Sequence, residues 1–131
     1  HGDTVTIISQ SDVDNQKYSA EPGWMRFIKT QKAKEYIREN FQKDLTLDEV
    51  SKVVDISPYY FSKLFKQETG ENFIEYLTKV RMKNAEELLK DSSYSIKEIC
   101  TASGYGDPNY FSRIFKKYEG VTPSEYRERL G

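Results

Sequence analysis

The chain has 131 residues, enough for one domain or two small ones sharing a linker. Its 20 Lys and Arg against 21 Asp and Glu leave a net charge of −1, so a polyanion partner must be sought in how charge is distributed and not in its sum. No apolar run approaches the roughly 20 residues that span a bilayer, which predicts no membrane contact from this segment, and no signal peptide is visible at the start. The lone Cys100 cannot form an internal disulfide, which fits a reducing cytoplasm. It lies in a helical pattern and reads as a small buried apolar residue. The only histidine is the terminal His1. With no His–nucleophile pair, no metal-ligand spacing and no phosphate-binding glycine loop, we expect no catalytic residues, no metal and no cofactor.

Residues 1–29 read as a linker or the remnant of an upstream domain. They are polar up to Pro22 and Gly23, apart from the β-like run Thr4-Val5-Thr6-Ile7-Ile8. The other reading of this stretch is an arm docked on the helices. Trp24, Phe27 and Ile28 have helical spacing and could extend the first helix backwards. That helix is expected over roughly Thr30–Asn40, with Ala33, Ile37 and Phe41 inward. Thr46-Leu47-Asp48-Glu49 is a capping box opening a second helix, with Leu47, Val50, Val53 and Val54 toward the core. Ser57 caps a third helix, Pro58 takes its first position, and Gly70 ends it.

Asn72-Phe73-Ile74-Glu75 opens a fourth helix running to about Leu89, with Phe73, Leu77, Val80, Ala85 and Leu88 as its apolar stripe. Ser95-Ile96-Lys97-Glu98 is a second capping box, for a fifth helix carrying Ile96, Ile99 and Cys100. Asp107 and Pro108 begin a sixth helix, Gly120 ends it, and Thr122-Pro123-Ser124-Glu125 opens a seventh. The expected fold is therefore all-α: seven helices in a domain over 30–131, forming two helix-turn-helix subdomains (about 46–69 and 95–119) joined by a long linker helix (about 73–89).

The start signals recur because the sequence recurs. Residues 57–77 and 107–127 agree at nine of 21 positions, among them Tyr60/Tyr110, Phe61/Phe111, Phe65/Phe115 and Gly70/Gly120. One supersecondary unit is used twice. On helices three and six, Phe61, Leu64 and Phe65, and likewise Phe111, Ile114 and Phe115, share one face and must be core. The opposite face carries Tyr59, Ser62, Lys63 and Lys66 in the first copy. In the second it carries Asn109, Ser112, Arg113 and Lys116, with Lys117 beside it. Within these helices no carboxylate appears until Glu68 and Glu119 near the ends. Guanidinium, ammonium, amide and hydroxyl groups on one exposed face suit the base edges of a major groove, and lysines further along suit phosphates. A short helix, a turn and a second helix of this kind is a helix-turn-helix. The linker helix, at about 1.5 Å per residue, could hold two such units roughly one DNA turn apart.

The run GYGDPNYFSRIFKKYEGVTPSEYR, residues 104–127, resembles the signature of AraC/XylS-type transcription regulators. The run LTLDEVSKVVDISPYYFSKLFKQETGENFIEYL and the helix through KVRMKNAEELL are similar as well, so the resemblance covers about Lys32–Leu130. The aromatic-rich version here looks most like output domains of two-component response regulators. The resemblance implies two recognition helices in successive major grooves, regulating transcription. Base-reading positions carried over from it fall on Tyr59, Ser62 and Lys63, and on Asn109, Ser112 and Arg113. Pro108 also falls on such a position but offers only apolar contact. Phosphate contacts fall to Lys66, Lys116 and Lys117. Tyr60 and Tyr110 have two readings, phosphate contact or packing, of which packing is favoured, and Arg81 is read as a structural ion-pair partner. Asp55 stands where the family often has a turn glycine, whereas the second unit keeps Gly104 and adds one residue before its recognition helix. Implied partners are double-stranded DNA, RNA polymerase and a missing upstream sensor, receiver or dimerisation domain. A helical protein–protein interaction module using the same faces is the competing reading.

Overall fold

The computed structural model describes residues 21–131; the linker reading of residues 1–20, the β-like run included, lies outside the described residues. Among these, the chain forms seven α-helices: α1 (Gly23–Asn40), α2 (Leu47–Val53), α3 (Pro58–Thr69), α4 (Phe73–Leu89), α5 (Ile96–Ala102), α6 (Pro108–Glu119) and α7 (Pro123–Leu130). Helix α1 starts at Gly23, so Trp24, Phe27 and Ile28 do extend it backwards, with their side chains exposed. The carbonyl of Pro22 accepts from Met25 and Arg26 N–H and closes its first turn.

The chain divides into two compact units, one spanning residues up to Tyr36 together with Thr46–Phe73, the other Ile37–Leu45 with Ile74–Gly131. In the first, Ala33, Val50, Val54, Ile56, Phe61, Leu64 and Phe65 are buried. The Phe61 and Phe65 rings pack at 5.4 Å between centroids. Thr46 caps α2 by accepting from Glu49 N–H (3.1 Å), which is one half of the expected capping box. The Glu49 carboxylate also accepts the Tyr36 hydroxyl of α1, an attachment that the local motif does not reveal. Val53, expected inward, is exposed, because α2 turns its Val50–Val54 edge to the core.

In the second unit Met82, Ala85, Leu89, Ile99, Cys100, Tyr105, Phe111 and Phe115 make one core. Of the stripe expected on α4, Phe73, Leu77 and Ala85 are buried, but Met82 and Leu89 are fully buried as well, whereas Val80 and Leu88 are only half-buried. From Ile74 onward α4, expected as the linker, is part of this unit. Ser95 and Thr122 form complete capping boxes with Glu98 and Glu125. The Cys100 thiol donates to Tyr105 O at 3.4 Å and burial pushes its pKa up, so it is an unreactive core group.

The turn inside each unit is built identically. Ile56 N–H bonds Ser51 O and Asp55 N–H bonds Lys52 O; Tyr105 N–H bonds Cys100 O and Gly104 N–H bonds Thr101 O. This is the Schellman closure of a helix, which needs a left-handed residue at its pivot. Asp55 supplies φ 57° and Gly104 φ 93°. Asp tolerates that region, as its substitution for glycine in the first turn required. Gly104 has no such latitude, since a Cβ there would sit 2.5 Å from Phe41 O and 2.8 Å from Arg81 Nε.

Gly104→Ala combines a left-handed backbone with that clash and should destabilise the protein by roughly 3 kcal/mol, read as a lowered urea midpoint. Phe115→Ala removes a ring packed 6.0 Å from Phe111 and edge-on to Tyr126 at 5.5 Å. It should cost about 3–5 kcal/mol in the same measurement.

Candidate nucleic-acid interface

Helix α3 is set by Ser57, whose hydroxyl accepts from Tyr60 N–H at 3.2 Å, and by Pro58 at its first position; it ends at Gly70. Helix α6 is its counterpart, with Asp107 accepting from Asn109 N–H at 2.9 Å, Pro108 first and Gly120 last. These caps fix where each helix begins and ends, and the buried Phe61, Phe65, Phe111 and Phe115 set which residues face outward. On α3, Tyr59, Ser62, Lys63 and Lys66 are exposed while Tyr60, Phe61, Leu64 and Phe65 are buried. On α6, Asn109, Arg113, Lys116 and Lys117 are exposed, Ser112 is half-buried, and Phe111 and Phe115 are buried. The two predicted faces therefore exist as continuous outer surfaces, one in each unit. Pro108 is also exposed, beside Asn109.

The charges on these faces are not idle. The Lys63 ammonium lies 5.6 Å over the Tyr59 ring, and the Arg113 guanidinium 6.0 Å over the Tyr110 ring. The Lys66 ammonium donates to Gly70 O at 3.0 Å, closing the end of its own helix. Asp107 places a carboxylate at the start of α6 where Ser57 is neutral, which favours the helix dipole but repels phosphate locally.

Two readings change here. Tyr60 is buried at 7% exposure, but Tyr110 is 47% exposed, so only the first tyrosine is a core residue. The neighbour explains the difference: Ile56 precedes α3, whereas the larger Tyr105 takes the matching place before α6 and packs its ring, tilted, against Phe111 at 5.5 Å and Tyr110 at 5.9 Å. Arg81 is structural but acts through carbonyls and a ring instead of an ion pair. It donates to Phe41 O at 2.9 Å and Lys43 O at 3.0 Å, and its guanidinium covers the Tyr105 ring at 5.2 Å. Arg127, unremarked in the sequence, makes the same type of clamp on Leu89 O (3.2 Å) and Asp91 O (3.1 Å). The only sequence signal for either is a basic residue inside a helix with no acidic partner at helical spacing to explain it.

A carboxyl pair also lies beside α6. Glu86 on α4 is hydrogen-bonded to Glu119, the last residue of α6. Burial, followed by Glu119, pushes its pKa from 4.5 to about 7, against the pull of Lys83. A groove of about 470 Å³ runs along the other side of α6, with Arg81, Tyr105, Asp107, Tyr110 and Arg113 in its walls.

A helix-turn-helix domain family matches residues 50–129, and the chain belongs to it, as an AraC-type DNA-binding domain of transcription regulators. Its relatives make the placement specific. It is 50% identical over 78 residues to the transcriptional regulatory protein YesN of Bacillus subtilis, covering 58% of this chain and 21% of that protein. It is 40% identical over 102 residues to the regulatory protein PocR of Salmonella typhimurium, covering 78% and 34%. The C-terminal domain of AraT, a response regulator from Geobacillus stearothermophilus, has the same fold with a TM-score of 0.74 and 43% identity, covering 77% of this chain and 84% of that one. The chain thus spans only about a fifth to a third of the length of these curated relatives.

The Glu86 pKa sets the sign of one pH effect. A carboxyl raised on folding favours the protonated fold, so its contribution is fully present below pH 4.5 and lost as pH rises through about 7. The capping carboxylates Glu98 and Glu125 are held below their ordinary range by hydrogen bonds from Ser95 and Thr122, so they stay ionised throughout this window. Melting temperature should therefore rise between pH 8 and pH 5.5, and Glu86→Gln should flatten that rise.

Proposed function

We propose that this domain reads double-stranded DNA sequence-specifically with α3 and α6, one helix in each of two successive major grooves, and so directs transcription. The observation that carries this is the pair of outward faces, Tyr59–Ser62–Lys63 and Asn109–Ser112–Arg113, each presented by the second helix of a helix-turn-helix. Arg113 suits the O6 and N7 of guanine, Asn109 suits adenine, and the two serines can donate or accept. Lys116, Lys117 and Lys66 serve phosphates, which position the helices without specifying sequence. The two faces differ in residue type, so the site they read is asymmetric.

The relatives' greater length supports a further part of this reading: an upstream sensor, receiver or dimerisation domain governs the output, as in a response regulator. Its setting is the cytoplasm, where RNA polymerase is the downstream partner. No described helix is long and apolar enough to cross a membrane.

Selection of bound duplexes from a random library should return two half-sites about one helical turn apart. On such a duplex Arg113→Ala should cost about 1–3 kcal/mol and relax preference at a single base pair. Lys116→Ala should weaken all sequences alike and reduce the salt slope by about one. Binding that hardly weakens between low and moderate salt would sink the DNA reading and favour a protein-interaction module.

A further inference from the structure

We propose that Tyr110 is the positioning residue for Arg113, its ring holding the guanidinium on the outer face of α6 where a base edge is met. This rests on the DNA-reading function above and adds to it a residue that touches no base.

The geometry is a ladder. Arg81 lies 5.2 Å over one face of Tyr105, Tyr105 packs against Tyr110 at 5.9 Å with the rings tilted by 54°, and Arg113 lies 6.0 Å from the centre of Tyr110. Arg81 is itself fixed by Phe41 O and Lys43 O, so the ladder is anchored at its inner end. Tyr105 is buried and Tyr110 half-exposed, so order is passed from the core to a surface side chain through two rings. Arginine loses much rotamer freedom when it is fixed on a base, and a side chain already held by a planar ring has less to lose on binding.

A cation over the aromatic face of Tyr110 is drawn there by the ring quadrupole.

The first unit uses the same device in a different register. Lys63 sits over Tyr59, four residues before it, whereas Arg113 sits over Tyr110, three residues before it. Tyr60, the sequence counterpart of Tyr110, is buried and cannot serve, and Asn109, the counterpart of Tyr59, has no ring. Each recognition helix therefore carries a cation on a ring at the matching position, although the rings come from non-matching positions. Shared ancestry of the two copies does not by itself produce that.

The test is a double-mutant cycle on the full chain, titrated onto a selected duplex and a panel in which each base pair of the α6 half-site is exchanged in turn. The pair at which the wild type discriminates and R113A does not marks the Arg113 contact. There Y110F should keep wild-type discrimination. Y110L, which retains apolar packing on Tyr105 but has no aromatic face, should lose about two- to fivefold. Y110L should also weaken binding to the selected duplex about two- to fivefold in the wild-type background and leave it unchanged in the R113A background. Equal losses of affinity in both backgrounds, or wild-type discrimination by Y110L, overturn the positioning role and leave base reading intact. Wild-type discrimination by R113A at every pair overturns both. A proton NMR spectrum of the unbound protein gives an independent arm: the Arg113 side-chain protons should be shifted upfield by the ring in wild type and Y110F, and their absence from that region also overturns the proposal.

Discussion

The second unit depends on the Arg81 guanidinium. Two of its N–H groups close the carbonyls of Phe41 and Lys43, which follow the end of α1, and its flat face covers Tyr105. A helix leaves its last carbonyls without partners, and a cation there meets both the hydrogen-bonding need and the negative end of the dipole. Because Arg81 stands on α4, the contact ties three pieces of chain together: the residues after α1, α4 itself, and the turn that launches α6. It also dictates the turn. Gly104 passes so close to Phe41 O and Arg81 Nε that no side chain fits. The turn is left-handed in both copies, but the requirement for glycine in this one follows from one cation and one carbonyl.

The same solution recurs in the unit at a second joint. Arg127 from α7 closes Leu89 O and Asp91 O at the end of α4, and Asn84 from α4 donates to Ala102 O (3.1 Å) and Ser103 Oγ (3.2 Å) at the end of α5. A unit this small has a limited apolar core, so directional bonds at helix ends carry a larger share of its specificity. The aromatic core supplies the non-directional part through Phe111, Phe115 and the edge-on Tyr126. Nothing in this division of labour uses the outer face of α6, which leaves that face open to vary.

How much was legible in the sequence follows from how local each cause is. Helix starts at Ser57, Asp107, Ser95 and Thr122 were legible because a cap acts within three residues of itself. The faces of α3 and α6 were legible because the phenylalanines recur at helical period. The left-handed Asp55 followed from the alignment of the two turns. What escaped was set by contacts distant in sequence. Val53 lies on the predicted stripe of α2 but faces out, and Met82 displaces Val80 from the core side of α4, since rotation of a helix answers to its neighbours. Tyr60 and Tyr110 occupy the same wheel position in the same motif, yet one is buried and one is not. The cause is Ile56 in one copy and Tyr105 in the other, and wheel analysis of a single helix cannot see it. Arg81 and Arg127 act across 36 to 40 residues of sequence, beyond any local pattern.

The substitution at 56/105 has an effect out of proportion to its size. With isoleucine before α3, Tyr60 packs inward, and the ring beside Lys63 comes from Tyr59. With tyrosine before α6, the inner site is filled, Tyr110 remains outside, and the ring beside Arg113 comes from there. Tyr59 thus sits beneath a cation at a position where the second copy has Asn109, whose amide is left for other use. A change in the scaffold has altered which outer positions hold and which can read. Two copies of one motif come to present different chemistry to a groove, and that difference begins in the core, one residue before the helix cap in the first copy and two before it in the second.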